Sequence, residues 1–538
     1  MAPPPLRTDL ATRARYSQGA GIYRLIPAAV ARPTTRSDLA SVLTAARERN
    51  LTITPRGAGS GMAGANVTTG LILDLTGLDS RRCLIDPARR RASLSPAVTL
   101  ATLNRAARAH GLRLPVDPSS GAWATLGGMV STNAAGPRSL RAGSMRRWVH
   151  GIGLETGDGY LELARGRQPD AGHPAMVRWH ADVEPLLHYH ELTIRARFPH
   201  VRKNSAGYAL DRYLEHGELL DIVIGSEGTL GVITDVTVDL EPVPGHRASL
   251  RVAVRERADL VGAIEAIRAQ DPATLEFLDR SFLRLIAGRS LMPERPGLLA
   301  EAAGLLLADF EGDDAAGMLA RAAAAASAVQ TSALDVRVAT SAGEIDRLWA
   351  VRHGASPILA GLGDGRRSLQ VIEDGCVPVV RLAEYLETVD AIARAARIDA
   401  VMFGHAGDGH MHVNLLPNLR DADWQDRVRA VFTAVSDAVI RLGGTPSGEH
   451  GAGRLRAGLM QRLYGPEVVE CFRAVKRAFD PADQFNPGVI LGDGADPLSR
   501  LKVGSGAEQL PDGIDEYLYA VEQNAGWGAS RWEVTDNK

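Results

Sequence analysis

The length, composition and charge of the chain exclude several classes of protein. Its 538 residues are more than one ordinary core supports, so we expect two or more domains. With 45% hydrophobic residues, 23% charged residues and a formal net charge of -2, the chain has the composition of a soluble globular protein. It lacks the basic excess that binding nucleic acid along an extended surface requires.

The cysteines and the apolar segments limit the expected compartment. Cys83, Cys376 and Cys471 are far apart and show no CxxC spacing, so the sequence predicts neither a disulfide framework nor an iron–sulfur cluster. The first residues lack the apolar core of a signal peptide, and no later stretch of about 20 apolar residues could form a transmembrane segment. We therefore expect a cytoplasmic protein, and any contact with a membrane would be peripheral.

The first 245 residues alternate between predicted helices, strands and glycine loops. Apolar residues recur at helical spacing behind a candidate cap at Ser37, namely at Leu39, Val42, Leu43 and Ala46. The strands LTIT (51–54) and LILDL (71–75) flank the glycine loop at 55–65. Pro242 and Pro244 indicate a boundary, so we expect the first domain to be residues 1–245.

Three further segments follow. Residues 246–454 predict an α+β domain, with strands SLRVAV (249–254) and GLLLADF (304–310) and helices near 314–329 and 379–397. Residues 455–492 are predicted to be helical and end in FDPADQFNPGVIL. Residues 493–538 are polar, show no clear periodicity and are interpreted as a tail.

Three glycine-rich blocks in the first domain indicate a cofactor site. The loop at 59–64 satisfies GxGxxG, but only residues 66–70 separate it from the next strand, which leaves no room for the helix of a Rossmann fingerprint. Two more blocks, GAWATLGGMVSTNAAG (121–136) and GSEGTLGVIT (225–234), combine glycine with Ser, Thr and Asn. Bare backbone N–H groups in such blocks can hold a pyrophosphate. The alternative for each block alone is an ordinary tight turn.

The series PRGAGSG, TLGGMVSTNAAG and GSEGTLGVIT resembles the FAD-binding domain of the vanillyl-alcohol oxidase type. The resemblance implies that these blocks contact the pyrophosphate, ribityl chain and isoalloxazine ring of FAD. The implied contacts are Arg56, Gly57, Gly59, Ser60, Gly61, Thr125, Gly127, Gly128, Asn133, Gly136, Glu227, Gly228, Thr229 and Val232. Some members attach FAD through a histidine in the first loop; Ser60 occupies that place here, so we expect non-covalent FAD.

A histidine-rich hairpin in the second domain predicts a metal site. In HAGDGHMHVN (405–414) the Gly-Asp-Gly core is typical of a turn, and a loop at 407–410 would place His405 opposite His412. Directly opposed Cβ atoms are about 4.5–5.5 Å apart, close enough for both imidazoles to bind one ion. Glu449 and His450 in SGEHGAG can join them, and two His with one carboxylate suit a catalytic zinc or similar ion. The alternative is a set of structural histidines hydrogen-bonded in a turn.

GHAGDGHMHVN, SGEHGAGR and FDPADQFNPG are similar to the C-terminal half of the D-lactate, glycolate and D-2-hydroxyglutarate dehydrogenase group. The resemblance implies a fold of class α+β, with a two-part FAD-binding domain, an α+β substrate (cap) domain and a C-terminal helical segment that returns to the flavin. It assigns the metal ligands to His405, His412 and Glu449, and the general base to His450. It assigns substrate contacts to Arg352, which grips the carboxylate, and to Asn414, and it places Asn486 beside the flavin.

The sequence departs from the pattern of that group at two places. His410 replaces an asparagine that is common in the turn; it could be a surplus ligand, but we expect it to point to solvent. Hydroxyglutarate enzymes often carry a lysine just before the segment 374–378, where this chain has Ile372 and Glu373. Arg366 or Arg367 could supply that second cation instead.

The resemblance implies a dehydrogenase that oxidises a D-2-hydroxy acid such as D-lactate, D-2-hydroxyglutarate or glycolate to the 2-oxo acid. Hydride would pass from C2 to flavin N5, with His450 as base and a divalent metal, zinc by preference, polarising the hydroxyl. A quinone, a cytochrome, an electron-transfer flavoprotein or oxygen could be the electron acceptor, and a homodimer is left open. The alternatives are a metal-dependent hydrolase without flavin and a catalytically silent flavin-binding subunit.

Overall fold

The computed structural model describes residues 6–286, 297–353, 358–359, 362–363, 365–524 and 526–532. The N-terminal domain contains two principal sheets. One is a parallel three-stranded sheet whose middle strand is Leu71–Asp74, with Ala29–Ala31 and Ile53–Arg56 on either side. The strand Leu71–Asp74 begins only a few residues after the first glycine loop. No helix separates the two, which confirms that this loop is not a Rossmann fingerprint.

The second sheet of this domain is antiparallel and five-stranded. Its strands in spatial order are Cys83–Asp86, Arg91–Leu94, Val232–Asp239, Val149–Thr156 and Gly159–Ala164. A short pair, Leu112–Arg113 with Glu241–Pro242, lies near the domain boundary. The helices of this domain are Leu10–Arg15, Arg36–Glu48, Leu100–Arg108, Leu126–Ser131, Ser139–Ala142, Pro174–Arg178, Glu184–Tyr189, Glu191–Arg197, Leu210–His216 and Leu219–Val223.

The helix Arg36–Glu48 contains the predicted apolar positions, and all four are buried. Its cap, however, is Thr35 and not Ser37. The Thr35 hydroxyl accepts a hydrogen bond from the backbone of Asp38, whose carboxylate accepts in return from the Thr35 backbone. This reciprocal pair satisfies two helix-end donors, which a cap at Ser37 would not achieve.

The second domain is built on one antiparallel sheet of seven strands. Their spatial order is Ala333–Ala339, His246–Val254, Gly304–Gly312, Thr274–Asp279, Asp399–His405, His410–Leu416 and Gly375–Cys376. One face of the sheet packs against the helices Leu260–Arg268, Ala315–Ala328, Leu382–Ala395 and Trp424–Arg441. The opposite face packs against Arg280–Ile286 and Ala342–His353, near the short helix Leu298–Glu301.

The C-terminal part of the chain returns to the N-terminal domain. The helices Met460–Tyr464 and Pro466–Phe479 lead to the FNPG turn, where Phe485 joins the core around the parallel sheet. The segment that we interpreted as a tail contains the helix Ile514–Gln523, with Leu518 and Val521 buried. The interpretation missed this helix because only two apolar residues anchor it. None of the helices in the described residues combines the length and apolar character needed to cross a bilayer.

Candidate active site

The histidine hairpin has a tighter turn than the sequence predicted. His405 lies opposite His410, and Phe403 lies opposite His412, so the expected pairing of His405 with His412 was wrong. The chain reverses through a short turn at Ala406–Asp408 followed by Gly409 in the left-handed region, with φ at 71°. A side chain at Gly409 would also meet the Val377 carbonyl oxygen 2.0 Å away, so this turn requires glycine.

The corrected register still brings the predicted ligands together. His405, His412 and Asn414 share the sheet face that packs against the helix of Arg352, because side chains directly opposite or two apart point the same way. His405 Nε2 lies 3.3 Å from His412 Nε2 and 3.2 Å from Glu449 Oε1. His412 Nε2 lies 3.5 Å from the same Glu449 oxygen. The three donor atoms form a nearly equilateral triangle.

The outward atoms of these three residues are also held. His405 Nδ1 contacts Glu276 Oε1, and His412 Nδ1 lies 3.0 Å from the Glu373 carbonyl oxygen. The other Glu449 oxygen accepts a 2.8 Å hydrogen bond from Lys203 Nζ. Burial opposes the charge on Lys203, but Glu449 and Asp408 raise its pKa. Every ligand of the triangle is therefore oriented by a second residue.

His410 is fully buried. The expectation that it would point to solvent was therefore wrong. Its Nε2 lies 2.8 Å from Asp374 Oδ1, and its Nδ1 lies 3.5 Å from Lys203 Nζ. Position 410 faces inward because it lies directly opposite His405, and Gly448 packs so closely that a Cβ there would lie 2.6 Å from the ring. His410 thus buttresses the triangle from behind.

Asp374 organises the loop that carries Glu449 and His450. Its carboxylate accepts hydrogen bonds from the backbone N–H groups of Glu449 and His450, and from the Ser447 hydroxyl at 3.0 Å. Burial favours the neutral acid, but His450 and His410 hold the pKa of Asp374 well below its usual range. The ionised carboxylate therefore fixes the position of the Glu-His pair.

His450 completes the cluster. Its ring stacks on that of His412, with centroids 5.3 Å apart, and its Nε2 lies 3.6 Å from Glu449 Oε1. Its Nδ1 lies 3.1 Å from Glu373 Oε1. Burial alone would lower the pKa of His450, but Asp374 and the hydrogen bond to Glu373 raise it to about 9. Nε2 is thus the ring nitrogen left to face the triangle of donor atoms.

Arg352 is joined to the triangle through one carboxylate. Its Nε donates a 2.7 Å hydrogen bond to Glu276 Oε2, and the other Glu276 oxygen contacts His405. The guanidinium lies over the Phe403 ring, 4.9 Å from the centroid. Burial opposes ionisation of Glu276, but His405 and Arg352 lower its pKa to about 2. With Nε engaged, the two terminal nitrogens of Arg352 have no partner among the described residues, and they can form a two-pronged pair with a carboxylate.

The remaining predicted substrate residues lie on or beside the strand His410–Leu416. Asn414 Oδ1 accepts a 3.1 Å hydrogen bond from the Ser368 hydroxyl. Arg366 lies 3.6 Å from Asp399, and Arg367 lies over the Tyr519 ring. Both arginines that the sequence offered as a second cation thus have other partners.

The three glycine blocks converge in the N-terminal domain. A Cβ on Gly57 would lie 2.2 Å from the Thr125 hydroxyl, and one on Gly228 would lie 3.2 Å from Pro55. The Glu227 backbone N–H donates to Ser131, which joins the second and third blocks. Within the part of the chain that the structure describes, the backbone N–H groups of residues 58–61 donate to no acceptor. A run of four such donors at a glycine turn is suited to an anionic group.

Several predicted cofactor residues adopt strained backbone or bind other parts of the chain. Asn133, Glu227 and Asn486 are non-glycine residues with φ of 50°, 54° and 45°. The Glu227 carboxylate accepts from the backbone of Ala452 and Gly453, and burial raises its pKa to about 8. It therefore links the third glycine block to the loop of Glu449 and His450.

Other side chains of the predicted cofactor set are internal. Asn486 donates to the carbonyls of Ala65 and Glu227, and Arg56 donates to the carbonyls of Tyr16, Gln18 and Asn66. Val232 is buried in the core around the parallel sheet.

Four residues that support the cluster were not predicted from the sequence, namely Lys203, Glu276, Glu373 and Asp374. One signal was available, because Glu276 interrupts an apolar strand (TLEFLD) and a buried charge needs a partner. Which partner it meets depends on sheet order, which the sequence did not reveal.

Comparison with known proteins agrees with this architecture. A family model described as FAD binding domain matches residues 27–164, and one described as FAD linked oxidases, C-terminal domain, matches residues 243–490. D-lactate dehydrogenase of Archaeoglobus fulgidus is 30% identical over 86% of this chain and 91% of its own length. Glycolate oxidase subunit GlcD of Bacillus subtilis is 29% identical over 88% of this chain and 91% of its own.

Two further proteins extend the comparison. D-2-hydroxyglutarate dehydrogenase of Pseudomonas putida is 28% identical over 90% of this chain, which spans only 50% of that longer protein. An alkyldihydroxyacetonephosphate synthase structure, 16% identical, has a TM-score of 0.63 over 90% of this chain and 83% of its own, and so shares the fold. The expected fold class is confirmed. The chain belongs to the family of FAD-linked oxidoreductases that includes these glycolate, D-lactate and D-2-hydroxyglutarate enzymes.

Proposed function

We propose that the protein oxidises a small D-2-hydroxy acid to the 2-oxo acid, with non-covalent FAD and a divalent metal. The observation that carries the proposal is the ligand triangle of His405, His412 and Glu449, joined to Arg352 on one side and His450 on the other. In this proposal residues 1–245 bind the cofactor, residues 246–454 bind the substrate, and residues 455–492 return to the flavin.

FAD fits the convergent glycine blocks. The N–H groups of residues 58–61, unpaired within the described chain, are suited to its diphosphate. The lack of a Cβ at Gly57 lets the first block pack directly against the Thr125 hydroxyl of the second block. When bound, FAD supplies the acceptor for the two electrons that leave C2 of the substrate. Ser60 at the position of the family's attachment histidine supports non-covalent binding.

A zinc-type ion fits the ligand triangle. Zinc–ligand bonds of about 2.0–2.2 Å in tetrahedral geometry place ligand atoms roughly 3.3–3.6 Å apart. The three separations here are 3.2, 3.3 and 3.5 Å. Metal-binding histidines normally donate their other ring N–H to an oxygen, and Glu276 and the Glu373 carbonyl are placed to accept from His405 Nδ1 and His412 Nδ1. When bound, the ion supplies a Lewis acid that makes the substrate hydroxyl more acidic.

The chain's own groups then have separate tasks. Arg352 binds the substrate carboxylate through its terminal nitrogens, while Glu276 fixes the plane of the guanidinium. His450 in its neutral form removes the hydroxyl proton at Nε2, since Glu373 holds Nδ1 as a donor. The pKa of about 9 describes the ring without an ion beside it, and the charge of a bound divalent ion would favour the neutral form. Asn414 orients the substrate with its side-chain amide, held by Ser368.

The central test is anaerobic mixing of the flavin-loaded protein with D-lactate, glycolate, D-malate and D-2-hydroxyglutarate. We expect the flavin absorbance to bleach with at least one of these acids. His450→Ala should slow that bleaching by about 10²–10⁴-fold. His180→Ala is the matched control, because this exposed histidine pairs with neighbouring Glu184, away from the cluster. A purified protein that is colourless and does not take up FAD would refute the proposal.

The metal has its own test. After dialysis against a chelator, with the metal content measured, substrate-dependent bleaching should be lost while FAD stays bound. Adding back zinc should restore it. If verified metal-free protein bleaches at the full rate, the ion has no catalytic role and the triangle is structural.

A further inference from the structure

The C-terminal segment (residues 493–532) lies beyond the matched family models, which end at residue 490. It folds back onto the N-terminal residues that support the first glycine loop. The Lys502 backbone donates to the Ile22 carbonyl, and Arg24 forms a 2.6 Å ion pair with Asp515. The supported residues contact the loop directly, because the Ala20 N–H donates to the Gly59 carbonyl.

Arg531 is the deepest charged side chain of the C-terminal segment, with only 5% of its surface exposed. Its NH1 donates to the Gln18 carbonyl at 2.6 Å and to the Arg15 carbonyl at 3.3 Å. The Gln18 carbonyl also accepts a 2.7 Å bond from Arg56, the residue that precedes the glycine loop. Arg531 NH2 is buried and has no hydrogen-bond partner among the described residues.

Positive charge around this carbonyl exceeds negative charge. Within the described chain, neither Arg56 nor Arg531 has a carboxylate within ion-pair distance. The neighbouring carboxylate, Asp74, binds the Tyr16 hydroxyl at 2.5 Å and lies 3.9 Å from Arg32. Burial and then the charge of Arg531 lower the pKa of Arg56 to about 9. Buried charges are normally paired, so this arrangement favours the binding of an anion.

The surroundings specify the class of anion. The run of unpaired N–H groups at 58–61 begins two residues after Arg56. The C-terminal segment also reaches the second glycine block, where a Cβ on Gly528 would lie 3.3 Å from Trp123, whose buried indole N–H has no partner in the described chain. Two guanidiniums without carboxylates match the double negative charge of a diphosphate.

We propose that the C-terminal segment is part of the cofactor site, and that Arg531 supplies positive charge to the diphosphate of FAD. This inference rests on the FAD-binding part of the proposed function. The competing explanation is structural: Arg531 binds carbonyls at the C-terminal end of the helix Leu10–Arg15, where a cation is favourable without any ligand. The two explanations predict different effects of removing the charge.

The test uses the full chain after reversible removal of FAD. Arg531→Gln should weaken FAD binding, measured by flavin fluorescence, by about 10–100-fold, since a hydrogen bond to a charged group is lost. Arg531→Lys should retain most of the affinity. Lys502→Gln is the control, because it removes another ion pair of the same segment, with Glu522. An unchanged FAD affinity in Arg531→Gln, with a lower unfolding temperature of the flavin-free protein, would establish the structural explanation.

A second measurement does not depend on any variant. Inorganic pyrophosphate should raise the unfolding temperature of the flavin-free wild-type protein and compete with FAD. The affinity for adenosine, which has no phosphate, should not change in Arg531→Gln. Failure of pyrophosphate to do either would overturn the inference even if Arg531→Gln does not fold. If wild-type protein binds no FAD at all, the proposed function itself fails.

Discussion

At the scale of single residues, Glu276 connects two tasks that the sequence presented as separate. One oxygen holds the arginine proposed to bind the substrate carboxylate, and the other holds a proposed metal ligand. The carboxylate is completely buried and remains ionised because His405 and Arg352 lower its pKa to about 2. A displacement of Arg352 or of His405 is therefore transmitted to the other residue through the Glu276 carboxylate.

Replacing Glu276 by Gln tests this connection. The amide oxygen of the new side chain can still accept from one partner, but its NH2 group cannot accept from the other. Either Arg352 or His405 therefore loses the contact that orients it. We expect metal affinity to fall by about 10–100-fold, as for other outer-shell partners of metal ligands, with a higher KM for the hydroxy acid. Metal content and the KM and kcat of flavin reduction are the measurements. Exposed Glu265→Gln is the control, and an unchanged metal affinity would refute the coupling.

The sequence predicted the chemistry-bearing residues better than their supports. His405, His412, Glu449 and His450 were singled out because they lie in short motifs that contain glycines. Their partners Lys203 and Asp374 lie far away in sequence, so only the folded chain brings them together. His410 was misplaced because a surplus histidine in a turn was expected to be solvated, whereas strand pairing put it inside.

At the scale of helices and strands, local patterns were reliable and registers were not. The buried face of Arg36–Glu48 follows the predicted spacing, but its cap lies two residues earlier because the pair of Thr35 and Asp38 satisfies more donors. The hairpin register shifted because its turn begins directly after His405. A shift by two residues changes which residues lie opposite each other, but it leaves the same side chains on the same face of the sheet.

The short helix Leu219–Val223, which leads into the third glycine block, depends on one buried carboxylate. Asp221 pairs with Arg165 at 2.6 Å and Arg146 at 3.3 Å, and its side chain is fully buried. Burial raises the pKa of Asp221, but Arg165, Arg146 and His216 together lower it to about 2, below the ordinary aspartate value of 3.8. The ionised form is therefore the one that stabilises the folded chain.

Asp221→Asn should lower the free energy of unfolding at pH 7 by about 3 kcal/mol, because it leaves two guanidiniums without their shared partner. Since the folded pKa is depressed, this stabilisation is fully present above pH about 4 and is lost as pH falls towards 2. The difference between wild type and variant in urea unfolding should therefore shrink between pH 4 and pH 2. Exposed Asp182→Asn is the control. A difference independent of pH would show that lost packing, not charge, is responsible.

At the scale of the whole molecule, the contacts between distant segments were the least predictable. The fold class followed from the motifs, but the return of the C-terminal segment to residues 7–24 did not, since polar residues make most of those contacts. The contacts between the two domains were equally hard to predict. Charged side chains join the domains there, and the sequence does not show which charged residue will pair with which.

Glu311 is the clearest interdomain contact of this kind. It belongs to the second-domain strand Gly304–Gly312, is 4% exposed, and accepts from Arg113 at 2.6 Å and Arg138 at 3.2 Å in the N-terminal domain. Arg138 also pairs with Asp117, just before the second glycine block. The carboxylate therefore helps to hold the domain of Arg352 and His450 against the domain of the glycine blocks.

Glu311→Gln should weaken this docking without changing either site. We expect unfolding to be easier by about 2–3 kcal/mol, less than for a fully buried pair because the two arginines are partly exposed. FAD affinity should stay within twofold, since residues 58–61 are untouched, while flavin reduction by the hydroxy acid slows as the domains lose their alignment. Exposed Asp426→Asn serves as control. Equal losses of FAD affinity and reduction rate would instead mean that Glu311 supports the N-terminal domain alone.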